Sequence, residues 1–320
     1  MVKKAIVNML SIDVEDYFQV SAFEKINPVS CWPEFESRVE QNTNKILDIL
    51  SAYDIKATFF VLGWIARYSP ALVKRIAALG HEIASHGYAH QRVPTQSRSA
   101  FRNDVRQSKQ LLEDLTGVVV KGYRAPSYSI NPDSLWAFDE LVEAGYRYDS
   151  SVFPVQHDLY GSFDWPRFPF SLQRTGSGDW MPGSEQDPDC EIFEVPISTL
   201  NRAGCNLPIS GGGYFRLYPY LLTRVGLNQI NSREERPFVF YIHPWEFDPE
   251  QPRMKNAGIK SRFRHYLNLD KTEIRFTRLL QDFSFSTIDA VLGKRFTAES
   301  NSTSVVEGIC EFDQSVSVKK

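Results

Sequence analysis

The sequence predicts an α/β protein built on a parallel sheet or barrel. Two observations carry this: short apolar strands alternate with helical patterns along most of the 320 residues, and the chemically unusual side chains collect where those strands end.

Taken in order, residues 5 to 12 read as a buried strand that delivers Asp13, Glu15 and Asp16 at its C-terminal end. Three carboxylates there are costly unless a cation meets them. Val39, Ile46, Leu47, Ile49 and Leu50 make an amphipathic helix of Glu36 to Leu50, and Lys56 to Leu62 is the next strand. Pro70 opens a helix that Gly80 closes. The segment Gly80 to His90 is a third strand and its loop, with His86 and His90 four residues apart. Two imidazoles at that spacing reach one ion if the backbone coils into a helical turn. Residues 98 to 115 form a long helix, and Val118 to Tyr123 a strand ending in Arg124-Ala125-Pro126. A helix from Pro132 to Ala144 then leads to a strand over 146 to 149 with Asp149 at its end.

Residues 150 to 190 are irregular and too long for an ordinary connection, which suggests a lid or a substrate-facing segment. Strands follow at Glu191 to Ile197 and at Phe238 to Ile242, the latter running into His243-Pro244-Trp245-Glu246. Gly211 to Gly213 is a tight passage without the Lys-Ser/Thr of a phosphate cradle. A helix near 271 to 282 and a last strand and short helix over 284 to 292 finish the fold. The expected organisation is a main unit at 1–250 including the long loop, an extension at 251–296 completing it, and a flexible tail at 297–320.

Hydrophobic residues at 42%, charged residues at 23% and a formal net charge of −3 are ordinary for a soluble chain. The balance lacks the basic footprint of a nucleic-acid binder. Cys31, Cys190, Cys205 and Cys310 form no CxxC and are expected as free thiols. No apolar run approaches a membrane span, and the N-terminal run lacks a cleavage-site pattern, so the expected location is cytoplasmic, with peripheral membrane contact left open. Aromatics at 13% belong mostly to the core; Trp180 and Trp245 are candidates for sugar stacking or for packing. His157 and His265 read as structural.

Strand ends thus carry Asp13/Glu15/Asp16, His86/His90, Arg124, Asp149 and His243. A carboxylate with His86 and His90 makes a three-ligand metal site with a position left for water. A base must still take the water's proton and an acid must protonate the leaving group, and Asp13 and His243 are available.

The ordered motifs Ser11-Ile12-Asp13-Val14-Glu15-Asp16, His86-Gly87-Tyr88-Ala89-His90, Arg124-Ala125-Pro126, Asp149-Ser150-Ser151 and His243-Pro244 resemble the NodB-type polysaccharide deacetylases, carbohydrate esterase family four. The likeness spans about residues 5 to 290. Gly211 to Tyr218, Tyr241 to Pro252 and Arg262-Phe263-Arg264-His265-Tyr266 further resemble the deacetylases of exosortase-linked exopolysaccharide loci in Gram-negative bacteria, which carry a C-terminal extension. The resemblance implies a distorted (β/α)7-type barrel and metal-dependent removal of N-acetyl groups from amino sugars. It implies Asp13 as general base, Arg124 as the partner orienting it, His86 and His90 as ligands, His243 as general acid and Asp149 as the carboxylate orienting His243. The oxyanion would rest on the metal and on a backbone N–H just after Pro126.

The family's usual adjacent aspartates are interrupted here by Val14. Strand alternation puts Glu15 beside Asp13 as third ligand, whereas a bulge would favour Asp16. Ser127 also stands where the family usually has Tyr. The implied metal is Zn2+, with Co2+, Ni2+ or Mn2+ accepted by the same donors. The implied partner is an N-acetylated glycan or its lipid- or nucleotide-linked precursor. The alternatives are a hydrolase of a non-sugar amide or cyclic imide, and a non-catalytic, metal-bearing glycan-binding protein.

Overall fold

The computed structural model describes residues 6–155, 161, 165–185, 187 and 190–293. The expected tail at 297–320, Cys310 and His157 lie outside the described residues. The strands in chain order are β1 (Val7–Val14), β2 (Thr58–Val61), β3 (Glu82–Ser85), β4 (Gly122–Tyr123), β5 (Tyr148–Asp149), β6 (Phe170–Arg174), β7 (Trp180–Pro182), β8 (Ile192–Glu194), β9 (Thr199–Arg202), β10 (Cys205–Pro208), β11 (Val239–Ile242) and β12 (Ser284–Ser286). The helices are α1 (Val39–Ala52), α2 (Gly63–Tyr68), α3 (Pro70–Ala78), α4 (Arg98–Thr116), α5 (Ala137–Glu143), α6 (Gly212–Leu217), α7 (Tyr220–Ser232), α8 (Ile259–Tyr266), α9 (Thr272–Asp282) and α10 (Ile288–Leu292).

Seven parallel strands run β11-β1-β2-β3-β4-β5-β8. Period-two alternation explains what each face buries. On β1, Leu10, Ile12 and Val14 join the core between sheet and helices, together with Phe59 and Val61 of β2 and Ile83 of β3. Met9 points the other way. It clusters with Phe60, Ala84, Tyr148, Phe193 and Tyr241, which brings the inner faces of strands from both ends of the sheet into one core. Only a sheet curled on itself can do this, and the fold is the distorted seven-stranded parallel barrel that the family resemblance implied. Ile288 and Leu292 of α10 belong to the same inner cluster.

The gap between β8 and β11 is spanned by irregular backbone. Tyr241 N–H donates to Ser210 O at 3.1 Å, Val239 N–H donates to Ser198 Oγ at 2.8 Å, and Ile197 N–H donates to Val152 O at 3.0 Å. Gly211, at φ 133°, makes the close approach to Tyr241, where a side chain would strike the Tyr241 carbonyl.

Several elements depart from expectation. The described part of 150–190 is more regular than expected: β6 and β7 form a hairpin, with β6 antiparallel to β8, that widens the sheet edge. Trp180 is buried there against Phe138 and under the Arg174 guanidinium, away from the cleft. The β9–β10 hairpin and helices α2, α6 and α7 were not anticipated. After α8 and α9 the chain returns to the sheet, where β12 pairs with the start of β1. Among the described residues no helix is long and apolar enough to cross a membrane.

Candidate metal centre and active site

The ends of β1, β3, β4 and β11 open on one side of the barrel, in a cleft of about 430 Å3. Asp13, Glu15, His86, His90 and His243 line it, with Ser127 and Tyr128 after β4 and side chains of α6 and α8 on its rim.

Alternation on β1 places Ser11 and Asp13 inside the barrel, and Arg124 reaches them from the end of β4. Its Nη1 donates to Asp13 Oδ1 at 2.5 Å and to Ser11 Oγ at 2.8 Å, while Nε and Nη2 donate to Ser150 O at 3.2 Å and Ser150 Oγ at 2.9 Å. The guanidinium lies 4.0 Å from the Phe60 ring centroid. Arg124 is fully buried. Such a charge persists only where its donors are met, and here each nitrogen has an acceptor. Burial alone would lower its pKa; Asp13 more than offsets this and raises it.

Beyond Asp13 the backbone turns sharply, with Glu15 N–H donating to Asp13 O at 3.0 Å. The turn sends Glu15 into the cleft and Asp16 out of it. Asp16 instead takes Ser37 Oγ–H and Arg38 N–H at 2.8 Å, Val39 N–H at 3.0 Å and Tyr17 N–H at 2.9 Å. It therefore ties the first turn of α1, and the structure gives it no place among the candidate ligands.

Glu15, His86 and His90 each offer one donor atom, all within 4.8 Å of one another. The two histidines meet through a loop, where a helical turn was expected. Gly87 and His90 both adopt positive φ, 74° and 50°, and Asp104 on α4 holds the loop by accepting Tyr88 N–H at 3.0 Å. His86 Nδ1 lies 2.8 Å from Arg124 O; a carbonyl can only accept, so Nδ1 carries the proton and Nε2 keeps its lone pair. Burial lowers the His86 pKa to about 4, keeping the ring neutral.

Glu15 Oε1 accepts Trp245 Nε1–H at 3.1 Å. Glu15 Oε2 and His90 Nε2 are 2.7 Å apart, yet this oxygen and His90 Nδ1 are buried without a well-formed hydrogen bond. Burial would raise the Glu15 pKa, but His90, His243 and His86 outweigh it and hold the carboxyl well below the usual range. The Glu15 carboxylate with its orphaned oxygen, the lone pair fixed on His86 and the His90 ring form a donor set suited to a divalent cation.

His243 stands across from this group. Its Nε2 is 3.5 Å from Glu15 Oε1 and 3.9 Å from Asp13 Oδ2. Asp149 does not orient it, contrary to expectation. That carboxylate accepts Ser151 Oγ–H at 2.6 Å and Ser151 N–H at 3.1 Å, and Ser151 Oγ in turn accepts Ala125 N–H at 2.8 Å. Asp149 thus fixes the backbone beside Arg124. The partner of His243 is Glu246, three residues on in a tight 3-10 turn: its Oε1 lies 2.7 Å from His243 Nδ1 and takes His243 N–H at 3.1 Å. Glu246 Oε2 accepts Arg216 Nε–H at 2.5 Å, and Arg216 Nη1 also donates to the carbonyls of His265 and Leu267. Burial works against charge on His243, but Glu246, Glu15 and Asp13 outweigh it and raise the pKa to about 9.

Glu246 and Arg216 were missed as site residues. Glu246 had a local signal, since histidine and acid at i and i+3 around Pro244 form a reciprocal cap; Arg216, thirty positions away, had none. His265, read as structural, stacks on Trp245 at 4.1 Å and gives Nε2 to Gln251 Oε1 at 2.7 Å. Trp245 is buried between His265 and His243, so it braces Glu15 and leaves little face for a sugar.

Residues 30–148 match the family model described as polysaccharide deacetylase, and residues 150–293 match a domain of unknown function, DUF3473. The first span holds His86, His90 and Arg124; the second holds Arg216, His243 and Glu246. A peptidoglycan-N-acetylglucosamine deacetylase of Bacillus cereus is 38% identical over 99 residues, 31% of this chain and 36% of that protein. A peptidoglycan deacetylase of Helicobacter pylori is 26% identical over 163 residues, 48% of this chain and 52% of its own length. The chain therefore spans about half or less of these relatives. In fold, a Mycobacterium smegmatis structure provisionally described as a polysaccharide deacetylase superposes with a TM-score of 0.55 at 16% identity, covering 93% of this chain and 94% of that one. The Puue allantoinase does so with a TM-score of 0.54 at 14% identity, covering 93% and 92%.

Proposed function

We propose that the chain is a metal-dependent deacetylase that hydrolyses N-acetyl groups from amino sugars of an exopolysaccharide or of its lipid- or nucleotide-linked precursor. The observation that carries this reading is that Asp13 and His243 stand 3.9 Å apart beside the Glu15, His86 and His90 donors, one paired to Arg124 and the other to Glu246. The deacetylase family match and the named relatives support it.

In this reading Glu15, His86 and His90 hold a divalent cation, Zn2+ first among those such donors accept. When bound, the ion lowers the pKa of a water and polarises the acyl oxygen. Asp13 takes the proton of the attacking water, and the Arg124 hydrogen bond to Oδ1 holds that carboxylate aimed into the cleft. The N–H of Ser127 donates to the developing oxyanion. His243, protonated at neutral pH, gives its Nε2 proton to the leaving amine, while Glu246 holds Nδ1–H and fixes the ring. The products are acetate and the free amino sugar. The motif likeness to exosortase-linked deacetylases favours an exopolysaccharide substrate over a wall polymer.

The test is acetate release by the full chain, supplied with Zn2+ or Co2+, from N-acetylglucosamine oligosaccharides and from a small cyclic imide. Acetate from the oligosaccharides, with the imide untouched, is expected. Turnover of the imide alone would replace the reading with the non-sugar amidohydrolase. Glycan binding without any turnover would replace it with the binding protein.

A further inference from the structure

Two helical segments beside the cleft mouth expose apolar side chains that a soluble surface does not need. On α8, Ile259 is 87% and Phe263 61% exposed. On α6 and α7, Leu217, Leu221, Leu222 and Val225 are exposed as well. Leu217 and Phe263 line the same cleft, so α6 and α8 meet at its rim, while Leu221 of α7 lies beside Arg224, Arg278 and Asp282. They are stitched together below it: Arg216 donates to the carbonyls of His265 and Leu267, and Asn268 Nδ2–H donates to Arg216 O at 2.8 Å. The patch is therefore presented by a fixed scaffold.

Its charge leans basic around α8, although Asp282 of α9 pairs with Arg224 of α7 at 3.1 Å. Residues 253–269 contain Arg253, Lys255, Lys260, Arg262 and Arg264 and no Asp or Glu, and residues 195–233 contain no Asp or Glu either, in a chain whose net charge is −3. On α8 the basic side chains Lys260, Arg262 and Arg264 are exposed next to Ile259 and Phe263. A second copy of the chain is a poor occupant, because a two-fold interface would press this basic surface against itself. Exposed Ile and Phe flanked by Lys and Arg is the chemistry of a segment lying in a lipid headgroup layer, its apolar side chains in the acyl boundary and its cations on anionic heads.

We propose that the face formed by α8 and the end of α6 docks the protein on an anionic phospholipid bilayer, with the mouth of the cleft at the headgroup plane. The proposal concerns binding and stands whether or not the deacetylase reading does.

The experiment is flotation of the full chain with phosphatidylcholine vesicles made with and without phosphatidylglycerol, at low and high salt. The chain is expected to float with the phosphatidylglycerol vesicles, far less with phosphatidylcholine alone, and to be partly released by salt. The double variant Ile259→Asp/Phe263→Asp should lower partition at least about tenfold, and Arg262→Glu at least about fivefold on the anionic vesicles only. Val119→Asp, an exposed position preceding β4 at the opposite end of the strands, should change nothing. Unchanged circular dichroism and melting temperature show that each variant folds. No flotation with either vesicle would overturn the proposal. So would equal flotation with both, or loss in Arg262→Glu alone, which marks a polyanion site without insertion. A dimer that Phe263→Asp dissociates, without vesicle binding, would assign the face to self-association instead.

Discussion

Asp13 and His243 face each other with opposite support: a guanidinium 2.5 Å from the carboxylate, a carboxylate 2.7 Å from the imidazole. Each support orients its partner, and Glu246 also favours the protonated form of His243. Glu246 raises the His243 pKa, so Glu246→Gln should lower it and bring down the high-pH limb of the activity profile by about one unit. A pH series of kcat/KM checks this, and an unmoved limb would remove Glu246 from the role. The residue types at this site were legible because buried strands ending in charge are rare. The pairing of His243 was not, since Asp149 also ends a strand and only the spatial course of residues 244–246 shows which acid reaches the ring. Glu15 and Asp16 were separable only by the turn after Asp13, which no periodicity announces.

At the scale of elements, the link from β1 to α1 carries a clean division of labour. Glu15 belongs to the candidate ligands and Asp16 to the helix start. Glu15→Ala should therefore abolish metal uptake with the fold retained. Asp16→Ala should keep the metal and cost about 1–3 kcal/mol of stability, the loss of several buried hydrogen bonds to one carboxylate. Metal analysis and urea unfolding of the two variants check both halves, and equal metal loss would contradict the division. The parallel strands and the helices between them were readable because each buries one face with its own period. The β6–β7 and β9–β10 hairpins and the α6–α7 pair were not. Their short strands alternate weakly, and α7 keeps Leu221, Leu222 and Val225 exposed beside its buried Leu227 and Ile230, which blurs the apolar stripe.

At the scale of the whole molecule, the barrel interior holds a second acid pair, Asp149 and Glu194, both fully buried. Burial raises both pKa values, Asp149 to about 6 and Glu194 well above the carboxylate range. A carboxyl raised in the folded state stabilises it fully below the unfolded pKa, near 4, and that contribution is lost as pH rises through the folded value. Glu194→Gln should therefore lose less melting temperature than the wild type between about pH 5 and pH 8. A melting series at constant ionic strength checks the sign, and parallel curves would refute it. The same barrel brings strand ends separated by 230 residues into one cleft, so the account as a whole rests on whether that cleft performs hydrolysis with the donors identified. The most direct measurement pairs metal stoichiometry with acetate release from an N-acetylglucosamine oligosaccharide for wild type, Asp13→Asn and His86→Ala. The account predicts that Asp13→Asn keeps its metal and loses about 10²–10⁴-fold in rate, and that His86→Ala loses both. Acetate release surviving in Asp13→Asn, or full metal content in His86→Ala, would contradict it.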